Sequence, residues 1–220
     1  EAITENTAAI IVEPIQGEGG VNVPDIGYLK EIEKICHEKD IVFIVDEVQT
    51  GFGRCGTLFA HELFDVKPDI MTMAKGIGGG VPMGGILATE KVASAFVPGD
   101  HGTTYGGNPF IGAAVSTVID LFEEMDILSH VNEVTPYFEK KLDELVEKHD
   151  ILTTRRGMGF MQGLVTTVPV GQVSAKALEK GLLVISAGSD VIRMVPPLVI
   201  EKEHVDKMVA ILDDVLGSFE

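Results

Sequence analysis

Two short apolar runs in this chain end in side chains that can do chemistry together. Ile41-Val-Phe-Ile-Val-Asp46 ends in a carboxylate, with Glu47 and Gln49 just beyond it. Asp69-Ile-Met-Thr-Met-Ala-Lys75 ends in a lone amine and runs into Gly76-Ile-Gly-Gly-Gly80. Apolar runs of this length read as strands buried in a parallel sheet. Reactive groups of open α/β sheets gather at the carboxyl ends of such strands. A lysine there can form a Schiff base with pyridoxal phosphate, and an acid can hold the ring nitrogen protonated so that the ring accepts electrons.

Each of these residues also has a plainer reading. Most lysines cap strands at the surface. Lys75, however, follows a nearly apolar run, and desolvation there would favour the neutral amine that imine formation needs. The glycines after it allow a ligand to approach the backbone. An acid at a strand end can simply face water, and Glu47 fits that description better than Asp46. Gln49, expected on the strand face opposite Glu47, could hydrogen-bond the phenolic oxygen of such a ring. The glycine run is not a Walker loop, because its lysine precedes the glycines. Gly51-Phe-Gly53 lacks the third glycine of the dinucleotide fingerprint.

The surrounding pattern supplies the elements that must position these groups. Strands are expected at 8–14, 41–48, 69–74 and 84–89. A helix is expected over 24–40, with Tyr28, Leu29, Ile32 and Ile35 on its apolar face, and a short one near 57–64. Strand, helix, strand, helix, strand predicts right-handed crossovers and a parallel sheet. Residues 108–146 read as two helices broken near 126–130. Beyond 150 the pattern becomes strand-like at 153–167, 182–186 and 191–195, with helices at 173–180 and 201–218. The expected division is a partial α/β cofactor-binding domain over 1–125 and a small α+β domain over 126–220.

Composition narrows the function classes. A net charge of −17 at pH 7 opposes nucleic acid binding, although a well-solvated acidic surface accounts for it equally. Cys36 and Cys55 are far apart and form no C-x-x-C pair, which argues against a metal site or disulfide framework and for an intracellular setting. No run approaches a membrane span, and the start resembles no secretory signal. The abrupt start at a strand, without an initiator Met, leads us to expect the C-terminal part of a larger enzyme.

Several long motifs resemble one family. Val12-Glu-Pro-Ile-Gln-Gly-Glu-Gly-Gly20, Asp46-Glu-Val-Gln-Thr-Gly-Phe-Gly-Arg54, Pro68-Asp-Ile-Met-Thr-Met-Ala-Lys-Gly-Ile-Gly-Gly-Gly-Val-Pro82 and His101-Gly-Thr-Thr-Tyr-Gly-Gly-Asn-Pro109 look like class III aminotransferases. Arg155-Arg-Gly-Met-Gly-Phe160 and Val191-Ile-Arg-Met-Val-Pro-Pro-Leu198 extend the likeness over essentially the whole chain. These are pyridoxal-phosphate enzymes of fold type I. The expected fold is therefore the C-terminal half of their large, mostly parallel-sheet domain plus the small α+β domain.

The resemblance implies roles residue by residue. Lys75 would carry pyridoxal 5'-phosphate and shuttle the proton. Asp46 would pair with the ring nitrogen, and Gln49 would lie against the ring. Thr104 would reach the cofactor phosphate of a neighbouring subunit, with Thr103 beside the substrate. Arg193 would take a substrate carboxylate, for which its planar fork is suited. Glu18 would pair with Arg193 and so gate amino donor against keto acid. Glu13 would hydrogen-bond from behind the site, Cys55 would be a small buried residue, and His101 a loop residue.

The activity implied is transfer of the δ-amino group of N2-acetylornithine to 2-oxoglutarate, a step of arginine biosynthesis in the cytoplasm, by a homodimer that shares its active sites. Ornithine or another ω-amino acid is the alternative donor, and no metal is expected. The family's phosphate-cradling loop and stacked aromatic ring have no counterpart here, so the chain is expected to be inactive alone. From another class, a non-catalytic α/β module could use the same glycine-rich edge to bind a phosphorylated ligand or a partner chain.

Overall fold

The computed structural model describes residues 2–219. The chain forms two compact units that interleave in sequence. One comprises the chain up to Pro14, Pro24–Phe52 and Thr57–Asp126; the other comprises Ile15–Val23, Gly53–Gly56 and Ile127 onward.

The first unit holds β1 (Ala9–Val12), α1 (Tyr28–Lys39), β2 (Val42–Asp46), β3 (Ile70–Ala74), β4 (Gly84–Ala88), the short α2 (Glu90–Ala93) and α3 (Pro109–Glu124). The sheet order is β1-β2-β3-β4. β1, β2 and β3 run parallel, whereas β4 returns antiparallel to β3. The stretch between β3 and β4 is too short for a crossover, so the chain can only double back. The helix expected near 57–64 shrinks to a 3-10 turn, Ala60–Glu62. The apolar stripe of α1 is Leu29, Ile32 and Cys36, which pack with Phe43 and Val45 of β2; Tyr28 is half exposed instead. Met71 and Met73 of β3 pack with Phe52 and Ile77 and with Val115, Val118 and Phe122 of α3.

Glu47 does not face water. It is 1% exposed and takes four donors. Thr50 Oγ1 donates to its Oε2 at 2.5 Å, Ala60 N to Oε2 at 3.0 Å and His61 N to Oε1 at 2.7 Å. His61 Nδ1 lies 3.1 Å from Oε1. The carboxylate thus binds the turn after β2 to the 3-10 turn that precedes β3. The reason is local: β2 ends at Asp46, so Glu47 leaves the strand and turns into the loop. A buried carboxylate persists only when donors replace its water, and these do.

The second unit holds α4 (Ile127–Lys148), β5 (Leu152–Met158), β6 (Met161–Thr166), α5 (Val170–Glu179), β7 (Ile185–Ala187), β8 (Val191–Met194) and α6 (Lys202–Gly217). Its sheet is antiparallel throughout, in the order β5-β6-β8-β7. The single strand-like stretch expected over 153–167 is a hairpin, broken at Gly159 and Phe160. All of β6 and β8 are buried. Ile127, Val131, Val134, Phe138, Leu142 and Leu145 form the buried stripe of α4 at helical spacing. Asp213 of α6 receives Lys148 Nζ and His149 Nε2 of the α4 end, each at 2.7 Å. Those two hydrogen bonds hold its carboxyl below the usual carboxylate range, Lys148 contributing most. Among the described residues no helix is long and apolar enough to cross a membrane.

Three measurements check this packing. Glu47→Ala strands four donors and is expected to cost about 3 kcal/mol in urea unfolding, since unsatisfied buried polar groups cost about 1–3 kcal/mol each and some relax to water. Gly157 has φ 126° and a Cβ there would lie 2.1 Å from Met161 O. Gly157→Ala is therefore expected to cost at least about 2 kcal/mol. The contribution of Asp213 is present above its unfolded pKa of 3.8 and is lost as pH falls through the depressed folded value. Asp213→Asn should flatten that part of the acid unfolding curve, and an unchanged acid slope would refute the linkage.

Candidate active site

In the first unit, parallel pairing of β2 with β3 sets Asp46 opposite Thr72. Both strands therefore deliver their ends to the same edge of the sheet, with Asp46 closing β2 and Lys75 following the last residue of β3. Asp46 is held on one side only. Its Oδ1 accepts Thr72 Oγ1 at 3.0 Å and Val48 N at 3.0 Å. Among the described residues its Oδ2 accepts no hydrogen bond, which leaves that oxygen to meet a cationic ring N–H.

Lys75 begins a 3-10 turn, Lys75–Gly78, with φ 49°. A side chain in this left-handed region costs about 1–2 kcal/mol, and such strain concentrates where a side chain must be aimed. Ala74 before it is extended at φ −159°, so the chain turns abruptly at the lysine. Gly76 lies so close to Phe52 that a Cβ there would meet Phe52 Cβ at 3.0 Å. Phe52 is itself left-handed at φ 54° and packs edge-on to Phe59 and Phe122, with centroids 5.5 Å and 6.2 Å away. The turn that presents Lys75 thus rests on an aromatic bed. Lys75 is exposed, contrary to the desolvated setting expected from its apolar neighbours. Those neighbours alternate through the strand and bury Met71 and Met73, while the lysine lies past the sheet edge.

Gln49 lies in the turn after β2, half-buried, and not on a strand face. The strand stops at Asp46, so alternation no longer applies there. Thr103 and Thr104 lie in an exposed loop before α3, and among the described residues neither hydroxyl makes a hydrogen bond. Asn108 closes this loop, accepting Phe110 N and Ile111 N at 3.1 Å and capping α3. Tyr105 beside the threonines is 81% exposed, and Phe110 is 70% exposed. His101 is an exposed loop residue, Glu13 directly follows β1, and Cys55 is buried.

The second unit carries Arg193 and Glu18. Arg193 sits in β8, opposite Gly163 of β6, with its side chain almost wholly buried. Its Nη2 donates to Oε1 and Oε2 of Glu18, both at 3.0 Å. Glu18 stands on a loop closed by an antiparallel bridge between Gln16 and Asn22. Arg193 also lines an apolar recess of about 360 Å³ with Ile185, Met194, Pro196 and His204. Arg54 Nη1 donates to Pro196 O at 2.6 Å and Phe160 O at 3.2 Å, fixing the chain that leaves β8. Burial lowers the Arg54 pKa from its ordinary value. Resemblance alone had pointed to Glu18 and Arg193; the bidentate contact joins them in space.

Sequence reasoning missed the anchoring role of Glu47 and its partner His61. The only signal was a second acid directly after Asp46, which fits a buried anchor and a wet strand end equally well. Among the described residues no group of three or more His, Cys, Asp or Glu could hold a metal ion. The lone Asp46 oxygen, the strained lysine on the same edge and the glycines after it fit a carbonyl cofactor with a basic ring nitrogen.

The family model described as "Aminotransferase class-III" matches residues 1–216. The acetylornithine aminotransferase of Methanocaldococcus jannaschii is 46% identical over 220 residues, covering all of this chain and 55% of that protein. The enzyme of the same name from Aquifex aeolicus is 47% identical over 214 residues, covering 97% of this chain and 55% of that protein. Among solved structures, an ornithine aminotransferase from Plasmodium yoelii superposes with a TM-score of 0.92 at 33% identity, covering 96% of this chain and 57% of that one. Acetylornithine aminotransferase from Elizabethkingia anophelis gives 0.90 at 34% identity, over 96% and 54%. The chain thus spans a little over half the length of the relatives it matches, and its fold is that of the type I pyridoxal-phosphate transferases, as expected. It belongs to the class III aminotransferases, a family of pyridoxal-phosphate-dependent transaminases.

Proposed function

We propose that the complete enzyme containing this chain moves the δ-amino group of N2-acetylornithine to 2-oxoglutarate in two alternating half-reactions. One observation carries the reading: a strained Lys75 follows β3 on the same sheet edge where Asp46 keeps one carboxylate oxygen open. The names of relatives near half-identical to this chain support the donor.

When bound, the cofactor supplies an electron sink for the pair left behind as a proton leaves the donor carbon. The chain's residues do the rest. Lys75 would hold the cofactor through its Nζ and, once free, would carry the proton between carbons as a general base and acid. Asp46 Oδ2 would hold the ring nitrogen protonated, with Thr72 and Val48 fixing Oδ1. Gln49 would bear on the ring. Arg193 receives a carboxylate of the keto acid. Glu18 covers Arg193 when the donor, which has no second carboxylate there, is bound. Thr104 is assigned to the cofactor phosphate in a neighbouring subunit and Thr103 to the substrate. Their unbonded hydroxyls beside exposed Tyr105 and Phe110 support a homodimer in which this loop faces another copy.

Ornithine is a second reading, favoured by the superposition on a Plasmodium ornithine aminotransferase. Glu18 and Arg193 would serve it equally. The complete enzyme, mixed with pyridoxal phosphate, is expected to show a visible absorbance band that disappears in Lys75→Ala, with kcat lower by about 10³-fold or more. A band that survives the substitution would overturn the role of Lys75 and favour a non-catalytic module. Steady-state rates with acetylornithine, ornithine and 4-aminobutyrate fix the donor, and a higher kcat/KM for ornithine would overturn the first choice.

A further inference from the structure

The gate formed by Glu18 and Arg193 contrasts a still backbone with a wet side chain. Glu18's side chain is 71% exposed, against 6% for that of Arg193. The loop that carries it, however, is tied down within its own unit. Gln16 and Asn22 exchange backbone hydrogen bonds at 3.1 Å and 3.2 Å, and Gly188 N donates to Glu18 O at 2.8 Å. Asn22 Nδ2 donates to Gln16 Oε1 and Gly19 O, both at 2.9 Å. Arg156 reaches in from β5, its Nη1 donating to Asn22 Oδ1 at 2.8 Å and Gly20 O at 3.2 Å. Val21 is wholly buried although its φ is 52°, a conformation that a β-branched residue rarely accepts. A Cβ on Gly163 would fall 3.1 Å from Val21 Cβ, so this valine lies against the β6 residue that faces Arg193.

We propose that Arg156 is a positioning residue for substrate alternation. It clamps the Gly20–Asn22 backbone so that Glu18 leaves and regains Arg193 by side-chain rotation alone, with no loop movement. The inference rests on the gate reading above. Arg156 is suited to this because one guanidinium nitrogen bridges a backbone carbonyl and a side-chain amide oxygen, bracing Gly20 and Asn22 together. Val21 supplies the strain that would release the loop if the clamp were lost. With the loop slack, Glu18 covers Arg193 less of the time. Dicarboxylates should then bind more tightly and the amino donor less well.

The test uses the complete enzyme with its cofactor. Calorimetry gives the Kd of glutarate, a dicarboxylate that cannot react, and single-turnover absorbance follows each half-reaction. Glu18→Gln is expected to tighten glutarate and slow the donor half-reaction; if it changes neither, the gate reading and the inference both fall. Arg156→Ala is expected to tighten glutarate about fivefold and raise the donor KM to a similar degree, with kcat within about twofold. In the Glu18→Gln background the same substitution should add nothing, because Arg156 acts through Glu18. Arg156→Lys should recover part of the effect. Asn22→Ala, read beside a thermal melt, should reproduce it should Arg156→Ala not fold. If Glu18→Gln acts as expected but Arg156→Ala has no effect, or an equal effect in both backgrounds, the positioning role is overturned and the gate stands.

Discussion

Everything the first unit offers chemically depends on the parallel register of β2 and β3. With Asp46 opposite Thr72, the threonine hydroxyl reaches Asp46 Oδ1, and Lys75 follows three residues later on the same edge. A slip of one residue would flip each strand's buried set to the other face and turn Asp46 or Lys75 away. Phe43 and Val45 packing on α1, and Met71 and Met73 packing beneath α3, penalise that slip through buried apolar contacts. Hydrophobic packing thus sets the register, and the register sets the chemistry. Glu47 adds a polar lock next door, tying the chain just past Asp46 to the turn that leads into β3.

The parts readable from sequence are those where type and position suffice. Apolar runs bounded by charge gave β2 and β3, and their ends gave Asp46 and Lys75. What lay out of reach depended on partners distant in sequence or on where a strand stops. Glu47 looked like a wet strand end because its donors at Ala60 and His61 lie in a later turn that the pattern rendered as a helix. Gln49 reads as a strand residue only if β2 runs past Asp46, and the strand stops there. Lys75 looked buried because its neighbours are apolar, yet those neighbours spend their burial within the sheet. Arg193 and Glu18 come only from resemblance, because their pairing joins parts of the chain distant in sequence.

A fixed backbone beneath an exposed side chain recurs in both units. Lys75 and Val21 both occupy left-handed backbone without being glycine, and each is over-determined by its surroundings. At Lys75 the Phe52 bed and the glycines compel the turn, leaving the amine exposed on a long flexible stem. At Val21 burial and the Arg156 clamp compel the loop, leaving the Glu18 carboxylate in solvent. In each case the strain sits in a residue whose geometry cannot relax, beside a side chain that must move.

This division suits an enzyme that handles two unlike substrates at one place. Whole-loop motion would expose Val21 and break the Gln16–Asn22 bridge at every turnover. Rotation of one glutamate breaks its contact with Arg193 Nη2 and leaves the loop backbone in place. Glu18 lies mostly in solvent, but the buried Arg193 guanidinium needs another carboxylate in its place when Glu18 turns away. In the proposed gate an incoming dicarboxylate would supply that carboxylate. The buried arginine's need for a carboxylate is therefore what would draw a second substrate in as Glu18 turns out, and the rigid loop beneath is what would bring Glu18 back.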